Sequence, residues 1–201
     1  MACRTAIKMQ ERLAVLREQW QAEGDRWPEI VHHMQNRIGI NTGQMVTGNM
    51  GSDSRMNYTM MGDTVNLAAR LESSAKQYGV YIQIADSTYE SVKDQVVVRA
   101  LDFVKVMGKE EPVKVFELIS ETGQEPEPYK KILPAFHEAL GHYFNQDWDM
   151  AIAAFKAADE LEEMFPGRKT NPSRIYIPRC EHFKVNTPGD DWDGVWTLTS
   201  K

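Results

Sequence analysis

A short segment at residues 120–128 divides the chain into two parts with different sequence patterns. It holds three glutamates, two prolines and a glycine, a composition typical of a linker. Before it, apolar side chains repeat at strand spacing in some stretches and at helix spacing in others, whereas helical repeats follow it directly. The sequence therefore predicts an α+β domain over residues 1–119, a helical hairpin at 129–164 and an irregular C-terminal tail at 165–201.

The predicted sheet of the first part is mainly antiparallel, because its last two strands are expected to form a hairpin. Its helices and strands alternate along the chain. In order, the predicted elements are a helix at 3–22, a strand, turn and strand at 37–48, a polar loop at 49–54, a strand at 55–59, a helix capped by Asp63 or Thr64 and ended by Gly79, a strand at 80–84, a short helix at 86–93, and a hairpin of strands at 96–106 and 113–119.

The overall composition argues against several classes of protein. A net charge of −6 and an isoelectric point of about 5.4 do not suit a nucleic-acid-binding protein, including an RNA-binding domain with a ferredoxin-like sheet. Cys3 and Cys180 are too few for a disulfide framework or a zinc site, which fits a reducing compartment. No apolar run approaches the ~20 residues of a membrane span, and no secretory signal follows Met1. We therefore expect a soluble, cytoplasmic chain.

One helix combines side chains that suit an anionic ligand. Asn66 and Arg70 are four residues apart, so they share one face of the helix that begins near Asp63. An amide beside a guanidinium, close to a helix N-terminus, suits phosphate oxygens. Polar pairs at this spacing are also common on solvated helix faces, so the spacing alone favours that ordinary interpretation.

The wider sequence around this pair resembles the class III nucleotidyl cyclase catalytic domain, which converts a nucleoside triphosphate to its cyclic monophosphate and pyrophosphate. The matching motifs are R-x-G-I-x-T-G at residues 37–43, V-x-G-x-x-G at 46–51 and R-x-x-Y-T-x-x-G-D-T-V-N-L-A-A-R-L-E at 55–72. The similarity continues through V-x-V-M-G-K-x-x-P-V-x-V-F-E-L to Leu118. It implies a truncated ferredoxin-like cyclase core, the C-terminal portion of the family's domain, of the bacterial adenylyl cyclase type.

The resemblance assigns roles to four residues. Asn66 is expected to orient the ribose, and Arg70 to stabilise charge that develops on the phosphates. Thr59 lies where the family places a purine-selecting residue, and a hydroxyl there resembles the adenylyl branch; it also suits an ordinary β-branched strand position. Lys109 matches the family's triphosphate-contacting lysine, although a lysine in a hairpin loop is often only solvated.

The same resemblance implies partners and a cofactor. The family works as a head-to-tail dimer with active sites at the interface, so we expect a homodimer or pairing with another cyclase chain, and ATP as substrate. The family binds two Mg²⁺ or Mn²⁺ ions through two aspartates that precede the helix beginning here at Cys3. We therefore expect no metal site in these residues.

The C-terminal part also resembles known sequences. The helix pair at 129–164 is similar to one tetratricopeptide-type unit, and the tail is similar to segments that follow many bacterial adenylyl cyclase domains. A single helical hairpin cannot bury both faces, so we expect it to dock on the cyclase core or on a dimer mate, with Trp192 and Trp196 packed.

Two functions remain open from the sequence. The first is an adenylate cyclase that forms cyclic AMP in intracellular signalling, with this chain as its C-terminal fragment and inactive alone. The second is a non-catalytic module that pairs with, or regulates, a full cyclase.

Overall fold

The computed structural model describes residues 1–104, 112–162, 169–189 and 191–196. The helices are α1 (Ala2–Ala22), α2 (Glu29–His32), α3 (Asp63–Tyr78), α4 (Asp86–Val92), α5 (Tyr129–Phe144), α6 (Trp148–Leu161) and α7 (Pro172–Val185), and a 3₁₀ turn follows α1 at Gly24–Arg26. The strands are β1 (Ile38–Ile40), β2 (Val46–Ser52), β3 (Arg55–Met61), β4 (Ile82–Ala85), β5 (Val96–Val104) and β6 (Val113–Glu121).

Four of the strands form one sheet in the order β1-β4-β6-β5. Strand β1 runs parallel to β4, whereas the β4–β6 and β5–β6 pairs are antiparallel. The structure therefore confirms an α+β fold with a mainly antiparallel sheet. Strands β2 and β3 lie apart as a two-stranded antiparallel hairpin, which we call the ribbon.

Two local predictions in this part were wrong. Residues 37–48 do not form a hairpin of their own, because β1 pairs with β4 and β2 pairs with β3. The polar loop expected at 49–54 is mostly strand, since the ladder extends to the Ser52–Arg55 pair and leaves only a two-residue turn. Strand β2 is exposed along most of its length, so it carries glycines and polar side chains. This composition is more typical of a loop, which is why the sequence predicted one.

The core of the α+β part lies between the sheet and two helices. Helix α3 buries Leu67, Leu71 and Ala75 against strands β5 and β6. Helix α1 buries only its first turns, where Ala6 and Ile7 belong to a cluster with Ile84 of β4 and Leu118 of β6. Beyond Ile7, no residue of α1 is fully buried.

Helices α5, α6 and α7 form the second part, whose core is aromatic. Phe136 contacts Phe155 and Tyr143 contacts Trp148, so α5 and α6 run antiparallel as predicted. Trp192 and Trp196 pack against this cluster, as expected from the sequence.

The tail is not wholly irregular, because it contains α7. Asn171 begins this helix, and its side-chain oxygen accepts a hydrogen bond from the Arg174 N–H at 3.0 Å. Pro172 follows in the first turn, where a missing N–H costs little. Pro178 lies inside the helix, and this breaker masked the helical pattern in the sequence.

The two parts meet at a junction formed by β5, β6 and the helices α5–α7. Arg99 of β5 is fully buried there, and its guanidinium donates to Glu117 at 2.8 Å and to both carboxylate oxygens of Glu162 at 2.7 and 3.0 Å. Phe136 lies under the same guanidinium, 5.1 Å from its centre. Burial opposes the charge, but the two carboxylates outweigh it and raise the pKa of Arg99. The junction is thus held by a charge network that excludes water.

None of the helices described here is both long and apolar enough to cross a membrane.

Candidate functional site

Helix α3 places Asn66 and Arg70 together on one exposed face. The buried face of the helix lies on the other side, where Leu67 and Leu71 pack into the core. The spacing of four residues thus brings the amide and the guanidinium to adjacent positions on the surface. Both can reach a ligand that lies against this face.

The N-terminus of α3 differs from the prediction. Gly62 is the N-cap, with φ +145°, and no side chain caps the first turn, so the predicted caps Asp63 and Thr64 are wrong. Gly62 accepts hydrogen bonds from the N–H groups of Val65 and Asn66, each at 3.1 Å. The glycine is required because this φ is rarely available to other residues.

The first cyclase-like motif seats α3 against the sheet. A Cβ atom on Gly39 would lie 2.2 Å from the Ala68 carbonyl oxygen and 2.5 Å from the Glu72 nitrogen. Only glycine therefore allows β1 to approach the helix backbone so closely. Beside it, Arg37 pairs with Glu72 at 3.2 Å.

The end of the same motif fixes the first turn of α3. The Asn41 side chain donates to the Thr64 carbonyl oxygen at 3.0 Å, and its own oxygen accepts from Ser87 at 2.8 Å. The Thr42 and Thr88 hydroxyls are 2.9 Å apart, which ties this loop to α4. The motif thus orients the helix rather than supplying reactive groups.

Thr59 lies on the ribbon, and Lys109 is outside the described residues. Thr59 is exposed on β3, opposite Gly48 in the ladder. The chain passes from β3 through Gly62 directly into α3, and the two elements are in contact. The structure therefore brings Asn66 and Arg70 together and places Thr59 on the strand that leads to them.

Clustered metal ligands are absent from the described residues. These residues contain no group of three or more histidine, cysteine, aspartate or glutamate side chains placed to hold a metal ion. The two cysteines are also unsuited to nucleophilic chemistry, because burial raises the pKa of Cys3 and raises that of Cys180 to about 12. The chemistry available here is that of amide, hydroxyl and guanidinium donors.

Comparison with known proteins identifies the family. The model of the adenylate and guanylate cyclase catalytic domain matches residues 2–120, more than half of the chain. The chain belongs to this family. It is therefore related to enzymes that are nucleotidyl cyclases, a class of lyases, and the sequence prediction of the family is confirmed.

Individual cyclases show where the similarity extends. The terminal-differentiation-specific adenylate cyclase of Dictyostelium discoideum is 33% identical over 183 residues, which covers 89% of this chain and 8% of that protein. Adenylate cyclase 1 of Rhizobium meliloti (strain 1021) is 36% identical over 118 residues, covering 59% of this chain and 17% of that protein. The crystal structure of the adenylyl cyclase CyaB from P. aeruginosa is 35% identical, covers 60% of this chain and 58% of that one, and overlaps with a TM-score of 0.48. The chain thus spans less than a fifth of the two curated relatives, and the Dictyostelium match extends beyond the cyclase domain into the helical part.

Sequence reasoning missed the buried polar residues that join the two parts. Arg99 and Asp102 interrupt the apolar strand β5, and Arg179 lies in the supposed irregular tail. A charged residue within an otherwise apolar strand was the available signal, because such a residue is seldom buried without a partner.

Proposed function

We propose that this chain contributes one side of an adenylyl cyclase active site, which converts ATP to 3′,5′-cyclic AMP and pyrophosphate. The observation that carries the proposal is the shared exposed face of Asn66 and Arg70, on a helix that the cyclase motif seats through Gly39 and Asn41. That degree of positioning is what catalysis by fixed donors requires.

The two side chains have different roles in this proposal. Asn66 hydrogen-bonds the ribose and orients it for attack on the α-phosphate. Arg70 donates to phosphate oxygens as negative charge develops during departure of pyrophosphate. A guanidinium suits this task, because its donors form a planar fork and its charge is permanent.

ATP is favoured over GTP by two observations. Thr59 offers a hydroxyl, rather than an acid, on the strand that leads into α3. The curated relatives described above are named adenylate cyclases. Lys109 is proposed to contact the triphosphate, on the strength of its M-G-K motif.

The site is completed by a second cyclase chain. The ribbon exposes Met56, Tyr58 and Met60, which alternate along β3 and so share one face. Large apolar side chains grouped in this way mark an interaction surface. Mg²⁺ or Mn²⁺ would be held by residues outside the described part of this chain. The partner chain would supply those metal ligands.

The second candidate is a non-catalytic module that pairs with a full cyclase, and the exposed apolar side chains of the ribbon favour such pairing. Both candidates share the docking surface. They differ in whether Asn66 and Arg70 take part in turnover.

Complementation separates the two candidates. The partner is a cyclase domain of this family that keeps its metal-binding aspartates but has alanine at its own transition-state asparagine and arginine. Neither chain alone is expected to form cyclic AMP from ATP and Mn²⁺, whereas the mixture is. In the mixture, Arg70→Ala should lower kcat about a hundredfold with KM nearly unchanged, a barrier change of about 2–4 kcal/mol.

The controls test the specific chemistry. Arg70→Lys should also be slow, because one ammonium group does not reproduce the planar fork. Turnover by this chain alone, or a kcat for Arg70→Ala within about threefold of the parent mixture, contradicts the assignment of the active site. A mixture that associates without forming cyclic AMP supports the non-catalytic module.

A further inference from the structure

A buried hydrogen-bonded link connects α7 to the helix that carries Asn66 and Arg70. One carboxylate oxygen of Asp102, on β5, accepts from the Tyr78 hydroxyl at 2.6 Å and from the Arg179 guanidinium at 2.6 Å. Tyr78 is the last residue of α3, and Arg179 belongs to α7. Three elements that are distant in sequence thus meet on a single oxygen atom.

The link is shielded from water, and both oxygens of its carboxylate are paired. Tyr78, Asp102 and Arg179 are all buried. The other oxygen of Asp102 accepts from the Phe103 N–H at 2.8 Å, so the carboxylate has partners on both sides. Burial, followed by the adjacent Asp102 carboxylate, raises the pKa of Tyr78, so the hydroxyl stays protonated and acts as a donor.

The tail holds the guanidinium from its other side. Arg179 lies over the rings of Tyr176 and Trp196, 5.0 and 5.2 Å from their centres. Ile175 of α7 packs against the core cluster that α3 shares with the sheet. The helical part therefore fixes the position of Arg179, and Asp102 connects Arg179 to the C-terminal end of α3.

We propose that Tyr78, Asp102 and Arg179 are positioning residues, which set the rotation of α3 and hence the direction of Asn66 and Arg70. The β1 motif holds the N-terminal turns of the helix, and the link holds its C-terminal end. An α-helix is stiff over its 16 residues, so a rotation at Tyr78 carries through to Arg70, about 12 Å away along the axis. Donors that stabilise a transition state must be placed within about 0.5 Å.

This inference gives the helical part a role in the cyclase site and rests on the proposed function of α3. It makes α7 a component of the catalytic unit rather than a separate module. The Dictyostelium relative aligns over a length that includes the helical part, which fits such a requirement.

A matched pair of variants tests the link in the full chain. Tyr78→Phe removes the α3 hydroxyl and keeps the ring, and Arg179 still neutralises Asp102. Tyr129→Phe removes a buried hydroxyl on the Arg99 side of the junction, which donates to Glu117 at 3.4 Å, and it likewise keeps the ring. Amide hydrogen exchange at residues 67–70 is measured by NMR and compared at equal global stability, set with urea.

Tyr78→Phe should speed exchange at residues 67–70 by about tenfold relative to the Tyr129→Phe control, because the helix opens locally once its end is released. Arg179→Lys should also speed exchange at residues 67–70, although the change is made on α7, since a lysine cannot reproduce the guanidinium geometry. Equal exchange at residues 67–70 in the two tyrosine variants overturns the inference.

A second readout uses the complementation mixture described above. Tyr78→Phe should lower kcat about fivefold or more while KM stays within about twofold, whereas Tyr129→Phe leaves both within about twofold. Unchanged kcat in Tyr78→Phe also overturns the positioning role. The exchange measurement needs no turnover, so failure of the link and failure of the cyclase assignment are distinguishable.

Discussion

The junction and the ribbon reverse the usual placement of charged and apolar side chains. At the junction, Arg99 has no exposed surface and is paired with two buried carboxylates. On the ribbon, Tyr58 is 74% exposed and Met60 is 54% exposed. A charged group is thus inside the molecule where two parts of one chain meet, and apolar groups are outside where none of the described residues covers them.

The two sides of the junction both belong to this chain, whereas the ribbon exposes one side of an interface whose other side belongs to another molecule. The polar atoms of Arg99 are satisfied by residues of this chain, so the junction needs no other molecule. The ribbon has only two strands, and such a hairpin is marginally stable without further packing. Its packing partner is therefore expected to be another molecule, in agreement with the proposed cyclase pair.

The largest expected effect comes from breaking the junction. Arg99→Met keeps much of the side-chain volume but leaves Glu117 and Glu162 buried without their cation. The free energy of unfolding should fall by about 3–5 kcal/mol, because an uncompensated buried charge is costly. Urea denaturation followed by circular dichroism measures this change.

The control for Arg99→Met is an exposed ion pair. Lys130 pairs with Glu127 at 2.7 Å on the surface, so Lys130→Met should leave the urea midpoint almost unchanged. Similar losses in the two variants would show that the junction network is no more important than a surface pair.

Two glycines extend the comparison to the backbone. A Cβ atom added to Gly39 would lie closer to the backbone of α3 than van der Waals contact allows, whereas a Cβ atom on Gly48, in the ribbon, would meet nothing within 4 Å. Gly39→Ala should cost about 1–3 kcal/mol through overpacking, and Gly48→Ala should be nearly neutral. Thermal unfolding of the two variants measures both. A neutral Gly39→Ala would mean that β1 and α3 are not in close contact.

The sequence predicted α3 well because its information is local. Leu67 and Leu71 recur at helical spacing beside Asn66 and Arg70, and Gly79 ends the helix in a left-handed conformation as expected. Strand pairing is not local, so residues 37–48 resembled a hairpin although β1 pairs with a strand about forty residues away.

The junction escaped prediction for a related reason. Arg99, Asp102 and Arg179 resemble solvent-exposed charges until their partners are known, and those partners lie 18 to 77 residues away in sequence. Helix α7 had a local signal, the Asn171-Pro172 start, but Pro178 argued against continuing the helix. The placement of Asn66 and Arg70 on one face was thus predictable, whereas the contacts that hold α3 at its far end were not.

A smaller effect is expected at the edge of the junction. Trp196 is half-buried, where it packs on Phe183 and lies over Arg179. Trp196→Ala should lower the free energy of unfolding by about 1–2 kcal/mol, since part of a large aromatic surface and a cation–π contact are lost. Urea denaturation measures the loss. A change below ~0.5 kcal/mol would show that the tail does not brace the junction.

The smallest effect on stability, and the sharpest contrast, is expected on the ribbon. The double variant Tyr58→Ser, Met60→Ser removes apolar surface that already faces water, so the free energy of unfolding should change by less than ~0.5 kcal/mol. Association with the cyclase partner should nevertheless weaken by about tenfold or more, because buried aromatic side chains contribute most to such interfaces. Sedimentation velocity measures association.

Met150→Ser, on the exposed surface of α6, is the matched control and should change neither quantity. If the ribbon variant unfolds easily, the ribbon is packed within the chain; if it associates normally, the partner binds elsewhere. Either result would contradict the difference between the junction, whose two sides both belong to this chain, and the ribbon, which exposes one side of an interface with another molecule.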